Sequence, residues 1–293
     1  MDFKEYETGV FFDELFDNQG QARNSAKLLV EAIEALPGEE LVERQGASES
    51  AMHSMGITFN VYGSNEGTER TIPFDIVPRI INGSEWDSVE AGLKQRIKAV
   101  NLFIDDIYHK RNIIADGVVP EWLFTTSTGF LPQCQDLNPP KGVWAHVTGT
   151  DLVRDESGDF FVLEDNLRVP SGVSYVLLNR TLMKRNFPEV FHKSRVRRTI
   201  DYTDQFRKIL HKLAPEGIER PNIAVLTPGV YNSAYFEHAF LARQMGAQLV
   251  EGRDLVYDGK YICARTVDGL VRIDVIYRRI DDEFIDPEVF RKD

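Results

Sequence analysis

Three oxygen-bearing side chains stand at a spacing that can hold a metal ion. They are Asp151, Glu164 thirteen positions later, and Asn166 two beyond that. Arg168 and the turn Pro170-Ser171-Gly172 follow at once. Two carboxylates and an amide oxygen are hard ligands. Mg²⁺ takes a few such ligands and fills the rest of its octahedron with water and substrate phosphates. The segment 149–172 carries no Cys or His, so it offers no soft ligand for zinc or copper. Arg168 adds a positive charge on the same side while the strand continues. The turn after it can aim backbone N–H groups at an anion. Metal, cation and amide donors around one point suit phosphoryl transfer, in which catalysis is mostly positioning and charge neutralisation.

A β-hairpin would bring these residues together. Two apolar stretches flank Glu156-Ser-Gly-Asp159. With Ser157 and Gly158 central, Glu156 faces Asp159 and Asp155 faces Phe160. Paired residue numbers then sum to 315, and Asp151 lies directly opposite Glu164. Side chains two apart share a face, so Asn166 joins them. Opposed Cβ atoms stand about 5 Å apart and diagonal ones about 7–8 Å. The same register also suits two carboxylates at a solvated sheet edge, or carboxylates paired with Arg154 or Arg168.

The rest of the chain supplies the frame. Residues 1–56 read as helical and polar. Asn24 or Ser25 can cap a helix through Leu28, Leu29, Ile33 and Leu36 that Pro37-Gly38 ends. Ile57–Tyr62 alternates like a strand, with a turn at Gly63–Thr68. Trp86, Val89, Leu93, Ile97, Val100, Ile104 and Ile107 form one apolar stripe on a helix capped by Ser84, read as a core helix. Residues 180–220 are helical and basic, with Arg180, Lys184, Arg185, Lys193, Arg195, Arg197 and Arg198. Without interleaved aromatics this run reads as a solvated face.

A second unit begins at Pro221. Ile223–Thr227 is a strand broken by Pro228-Gly229. A helix capped by Ser233 carries Phe236, Phe240, Leu241 and Met245, and Gly246 suits its left-handed C′ position. Gln248–Val250 completes a βαβ unit of a parallel sheet. Asp258-Gly259 turns a hairpin, and Asp274–Arg278 forms one more strand. Tyr231, Asn232 and Ser233 lie between strand end and helix start, where open α/β sheets bind ligands and free N–H groups favour a substrate carboxylate. The same residues suit a simply capped helix start. Of the adjacent Arg278 and Arg279, Arg278 is carried as the substrate-binding candidate, with Arg279 able to pair with Asp281 or Asp282. Glu237-His238 reads as packing or surface.

Composition removes other classes. The chain of 293 residues has 34 Lys and Arg against 46 Asp and Glu, a formal charge of −12. That balance disfavours nucleic acid as the main partner and also a membrane-surface role. No run is long and apolar enough to span a bilayer. Met1–Phe16 lacks the basic start and apolar run of a signal peptide, and Cys134 and Cys263 form no motif. A cytoplasmic protein with two reduced thiols is expected.

The residues carry a resemblance. Asp151, Glu164, Asn166 and Pro-Ser-Gly look like the magnesium hairpin of ATP-grasp ligases. Leu163-Glu-Asp-Asn-Leu-Arg-Val-Pro-Ser-Gly-Val-Ser-Tyr175 is more specific. With Phe59-Asn-Val-Tyr-Gly63, Thr68-Glu-Arg70, Pro73-Phe-Asp-Ile-Val-Pro-Arg79 and Leu226-Thr-Pro-Gly-Val-Tyr-Asn-Ser-Ala-Tyr-Phe-Glu-His238, the chain resembles the circularly permuted ATP-grasp family, related to glutathionylspermidine synthases. The resemblance implies an α/β (α+β) fold. An ATP-grasp-like antiparallel sheet with helices would occupy residues 1–220, and a Rossmann-like βαβ pre-ATP-grasp domain residues 221–293. It implies an ATP-dependent carboxylate–amine ligase with an acyl-phosphate intermediate and small-molecule or peptide substrates. Asp151, Glu164 and Asn166 would hold Mg²⁺ on ATP, and Arg168 would neutralise the transferring phosphate. Ser171 and Gly172 would bind the substrate carboxylate or the acyl phosphate.

One departure stands out. Family members hold ATP with lysines, one near a glycine-rich loop, and no such loop follows Gly229. The resemblance therefore implies a chain stopped short of family length, needing a further C-terminal segment or a partner chain. A non-catalytic peptide-binding or assembly module is the alternative. Chemistry alone leaves a third reading, a hydrolase in which the opposed carboxylates act as acid and nucleophile.

Overall fold

The computed structural model describes residues 3–60 and 69–285. The expected turn at Gly63–Thr68, the end of the preceding strand at Val61-Tyr62 and the tail Arg291-Lys292-Asp293 lie outside the described residues. In chain order the described helices and strands are α1 (Lys27–Glu34), α2 (Glu40–Ser54), β1 (Thr58–Asn60), β2 (Glu69–Thr71), α3 (Gly83–Tyr108), α4 (Asn112–Ala115), α5 (Trp122–Thr126), β3 (Gly149–Arg154), β4 (Phe160–Asn166), α6 (Val173–Asn186), α7 (Pro188–Lys193), α8 (Tyr202–Lys212), β5 (Ile223–Leu226), α9 (Tyr235–Met245), β6 (Gln248–Val250), β7 (Leu255–Tyr257), β8 (Ile262–Thr266), β9 (Gly269–Arg272) and β10 (Val275–Arg278). This is a mixed α/β protein with antiparallel sheets, helices and one parallel sheet.

The chain forms two compact units. The first joins Met1–Ile80 to Ser171–Asp293, and the second is Ile81–Pro170. This differs from the boundary at residue 220 suggested by the sequence. The reason is hydrophobic burial between segments distant along the chain. Leu182 of α6 is buried with Met52, Ile57, Phe74 and Ile76. Phe187 and Val190 are buried with Leu29 and Ile33. Tyr175 stacks on Phe236 of α9 with ring centroids 5.8 Å apart. Residues 171–220 therefore pack with both ends of the chain.

In the first unit, α1 buries Leu29, Val30 and Ile33 along one face. It starts after Ala26 with no side-chain cap, later than Asn24 and Ser25, and ends before Leu36. The βαβ expectation holds. Strands run in the order β10-β5-β6 with parallel pairing, and every residue of β5 is buried. Gly246 takes φ +64° at the C-terminus of α9, a left-handed conformation that glycine adopts without a Cβ penalty. Ser233 is not the N-cap; Ala234 is. Asn232 Oδ1 accepts the N–H of Ala234 itself at 2.9 Å, just ahead of the helix. The hairpin at Asp258-Gly259 pairs Leu255 with Ala264 and Tyr257 with Ile262. A third strand, β9, extends it by pairing with β8. Both cysteines are free thiols, Cys263 buried.

In the second unit, α3 is capped at Asn82, two residues before the expected Ser84. Glu85 accepts the Asn82 N–H at 2.9 Å and closes the helix start. Along the apolar stripe only Ile107 is fully buried, while Val89, Leu93, Ile97, Val100 and Ile104 are half-buried. The core-helix expectation is met in part, because a unit this small has little interior. Its packing includes Tyr108, which stacks on Phe130 and Trp144 at 5.1 and 5.0 Å. Asn101 Oδ1 accepts the backbone N–H groups of Trp144 and Ala145 at 2.8 and 3.0 Å.

Leu182 is 2% exposed in its cluster. Leu182→Ala should lower stability by about 2–5 kcal/mol through lost burial and a residual cavity, read as a lower urea midpoint for the first unit.

Candidate functional site

The hairpin β3–β4 pairs Asp151 with Glu164 and Gly149 with Asn166, as the residue spacing predicts. It reaches that register by a different route. Near the turn, Arg154 pairs with Phe160 and Leu152 with Val162, one residue out of step with the expected sum. The loop is Glu156-Ser157-Gly158. Asp155 donates its N–H to the Asp159 carbonyl at 3.0 Å, and Gly158 sits at φ +94°. A three-residue loop of this kind ends in a left-handed residue. A bulge on β4, where Leu163 is the extra residue between Val162 (opposite Leu152) and Glu164 (opposite Asp151), then restores the phase. Leu163 and Glu164 are both exposed where strict alternation would bury one. Without the extra residue, Asp151 would face Leu163 and Glu164 would point to the other side.

The two faces of the hairpin have different jobs. The back face is clamped to α3. Asp165 accepts from Arg96 Nε at 2.7 Å and from Thr150 Oγ1 at 2.8 Å. Arg154 pairs with Glu85, donates to the Gly158 carbonyl at 2.9 Å and lies over Phe160. Arg154 is thus committed to the back face rather than to Asp151 or Glu164. The front face carries Asp151, Glu164 and Asn166, all exposed. Asn166 Nδ2 donates to Glu164 Oε1 at 3.0 Å. Two carboxylates and an amide oxygen on one accessible face fit a hard, partly hydrated divalent cation. Among the described residues no group of three His, Cys, Asp or Glu side chains is gathered for a metal, so the amide is needed to complete a three-ligand set.

Behind the front face the backbone is tightly drawn. A Cβ on Gly149 would come within 3.0 Å of Pro170 Cβ and 3.7 Å of Asn166 Cβ. Glycine therefore lets Pro170 close against the Asn166 strand end. Val169, between Arg168 and Pro170, is held at φ +49°. For a β-branched residue this left-handed conformation is a strained one.

The continuing loop belongs to the first unit and meets an internal anion. Glu237 of α9 is 0% exposed. Its Oε2 accepts the Gly172 N–H at 2.8 Å, the Ser174 N–H at 3.0 Å and the Ser174 hydroxyl at 2.9 Å. Its Oε1 faces Arg279 Nη2 at 3.3 Å, and Arg279 Nη1 donates to Tyr277 Oη at 2.9 Å. The turn does aim N–H groups at an anion, but that anion is the protein's own carboxylate. The Gly172 N–H is thus engaged within the protein. Gly172 itself takes φ +116° as the N-cap of α6. The next residue, His238, is also buried, with Nδ1 2.8 Å from Thr227 Oγ1. Thr227 Oγ1 accepts the Gly229 N–H at 3.2 Å, so its own proton can be given to a neutral imidazole. Burial and the positive charge of Arg279 push the His238 pKa down to about 3.

Tyr231 is exposed, and Asn232 and Ser233 are half-buried at the start of α9. Asn232 and Ser233 line a cleft of about 220 Å³ with Thr58, Val230, Tyr235 and Phe236. Arg278 donates to the Ile280 carbonyl at 3.2 Å and pairs with Asp282. Arg279, which the sequence allows to pair with Asp281 or Asp282, pairs with Glu237. Ser171 is exposed ahead of the Glu237 contacts.

The description "Circularly permuted ATP-grasp type 2" fits residues 78–293, a span that takes in the hairpin, the Gly172 loop and the βαβ unit. The chain belongs to the circularly permuted ATP-grasp type 2 family. It is 52% identical over its full length to an uncharacterized protein of Synechocystis sp. and covers 61% of that protein. It is 48% identical over 96% of its length to an uncharacterized protein of Mycobacterium tuberculosis, covering 50% of that one. A protein of Frankia casuarinae named "Putative glutamate--cysteine ligase 2-2" is 37% identical over 93% of this chain, which spans 32% of it. The chain thus spans about half the length of these uncharacterized relatives. No helix among the described residues is long and apolar enough to cross a membrane.

In this ATP-grasp chain the residue missed at the sequence level is Glu237. A signal existed: Glu237 stands four and eight positions before Leu241 and Met245, on the apolar stripe of α9. A carboxylate there must be either misplaced or compensated. Glu237→Gln should cost about 3–5 kcal/mol, because Arg279 would stay buried without its counter-charge. Glu237→Gln combined with Arg279→Met should recover part of the loss, measured as a double-mutant cycle in thermal unfolding.

His238 sets an acid limit. Its folded pKa lies near 3 against an ordinary value of 6.5, so the unfolded chain binds the extra proton between those values. Stability should be fully present above pH 6.5 and fall as the pH drops toward 3. In His238→Gln the melting temperature should fall less steeply over that window.

Proposed function

We propose that the chain carries the magnesium-binding and acid-substrate portion of an ATP-dependent carboxylate–amine ligase. The carrying observation is Asp151, Glu164 and Asn166 set on one exposed hairpin face in a chain of the ATP-grasp family. In this reading the three side chains hold one or two Mg²⁺ ions on the phosphates of ATP. The ion would supply charge neutralisation and in-line alignment of the phosphoryl group. Arg168 adds positive charge to the transferring phosphate.

The substrate carboxylate takes the γ-phosphate to give an acyl phosphate, and an amine then displaces phosphate to form an amide. No side chain need become covalently attached. Ser171 offers an exposed hydroxyl to the acyl group. Tyr231, Asn232 and Ser233 line the acid-substrate side, for which Arg278 is a further cation. Gly172 positions this loop through Glu237 rather than touching substrate. The ligase name of the Frankia relatives supports an amino acid or short peptide as the acid, with an amino compound as the amine. That class includes glutathionylspermidine-type chemistry without selecting it.

Glu164 is exposed, so Glu164→Gln should fold normally and weaken Mn²⁺ binding at least about tenfold, read by electron paramagnetic resonance. In the full-length protein the same change should reduce ADP release with carboxylate and amine by roughly 10²–10³-fold. Wild-type Mn²⁺ affinity in the variant would sink the metal assignment. Turnover insensitive to EDTA and to omission of ATP would return the carboxylate pair to hydrolase chemistry. Absence of ADP release from the full-length protein across acid and amine panels would favour the assembly-module reading.

A further inference from the structure

Within the first unit, α6, α7 and the segment before α8 enclose an open cleft of about 860 Å³. Arg180, Lys184, Arg195 and Arg198 line it together with His192, and among the described residues no Asp or Glu does. The protein as a whole carries a formal charge of −12. Gathering like charges around one concavity without a lining carboxylate costs self-repulsion, which an anionic ligand would remove. The sequence reads this run as a solvated face because no aromatic is interleaved with the basic residues. Folding brings the aromatic from α7: the Arg180 guanidinium lies 5.8 Å from the Phe191 ring centroid. Arg180 Nη1 also donates to the Arg197 carbonyl at 3.0 Å, which fixes the head group at the cleft wall. Burial lowers the Arg180 pKa from its ordinary value, so this charge sits partly out of water.

The backbone adds an independent sign. Arg195 is held at φ +50°. Left-handed backbone at a non-glycine residue costs about 1 kcal/mol or more by general sterics, and such strain collects at ligand clamps. At this position a glycine would be easier to fold, yet the chain carries a guanidinium.

We propose that this cleft is a second anion site, taking a compact ligand that bears at least two linked phosphate groups. Guanidinium forks match phosphate oxygens in pairs, and the cleft volume suits a small molecule rather than a polymer. The lining residues all belong to the first unit, and the proposal invokes no divalent cation, so its test does not depend on Asp151, Glu164 and Asn166.

The probe is inorganic pyrophosphate, titrated calorimetrically into the metal-free protein. Binding should be measurable and should weaken as NaCl is raised. Arg195→Gly deletes the charge and relieves the left-handed strain. It should weaken pyrophosphate binding about tenfold or more while the melting temperature holds or rises. Arg198→Gln should weaken binding similarly. Mn²⁺ binding at the hairpin should be unchanged in both variants, which separates failure here from failure of the ligase reading. The proposal is overturned if pyrophosphate gives no binding, if binding requires Mg²⁺, or if both variants bind as the wild type does. Tight capture of an acidic peptide with pyrophosphate silent would overturn it as well, in favour of a polypeptide ligand.

Discussion

A carboxylate with no exposure to water persists only where hydrogen bonds and a counter-charge replace its hydration. Glu237 meets that demand by drawing on three parts of the chain. It takes two backbone N–H groups and a hydroxyl from the Gly172–Ser174 loop, and a guanidinium from Arg279 just beyond β10. The helix that carries it packs Phe236 on Tyr175. The N-terminus of α6, the core of the βαβ sheet and the start of the cleft at Asn232 are therefore fixed relative to one another by one buried charge. A helix N-terminus that could have been an anion-binding site becomes an internal joint of the first unit.

The hairpin of the second unit solves a different problem. Its candidate ligands must be accessible, so they cannot contribute to holding it. That task falls to the back face, where Arg96–Asp165 and Arg154–Glu85 tie both strands to α3. Alternation alone would not have kept Asp151 and Glu164 on one face after a three-residue loop. The bulge at Leu163, on the strand opposite Asp151, adds the residue that does. The phase of the ligand face is thus a property of the bulge as much as of the strands.

Much of this was legible in the residue order. The pairing of Asp151 with Glu164, the parallel βαβ unit, the Asp258-Gly259 hairpin and the left-handed Gly246 all follow from short-range rules about alternation, turn residues and helix ends. The correct partner for Asp151 was nevertheless reached from an incorrect turn, with the bulge making up the difference of one residue. Caps were less legible. Ser84 carries the right side chain, but Asn82 and Glu85 close the start of α3, because two or three polar residues in a row offer several equivalent ways to close a helix start. Strand β9 was missed between two turns. The α3 stripe was correctly located, but its degree of burial depends on how much of the unit lies over it.

The sequence by itself determined which side chains could form a hard-ligand face and that they lie on one hairpin, since period-two alternation is local. It also determined the family, because strings such as Leu163–Tyr175 survive without any knowledge of contacts. Only the tertiary structure decided which anion fills the Gly172 loop and which arginine is buried. It alone decided whether the basic run at 180–200 is a face or a cleft. Glu237 lies 65 residues from Gly172 and 42 from Arg279, and at such separations partner choice is set by which side chains lose their water together. Phe191 meets the Arg180 guanidinium for the same reason: packing, rather than order along the chain, decides which side chains come together.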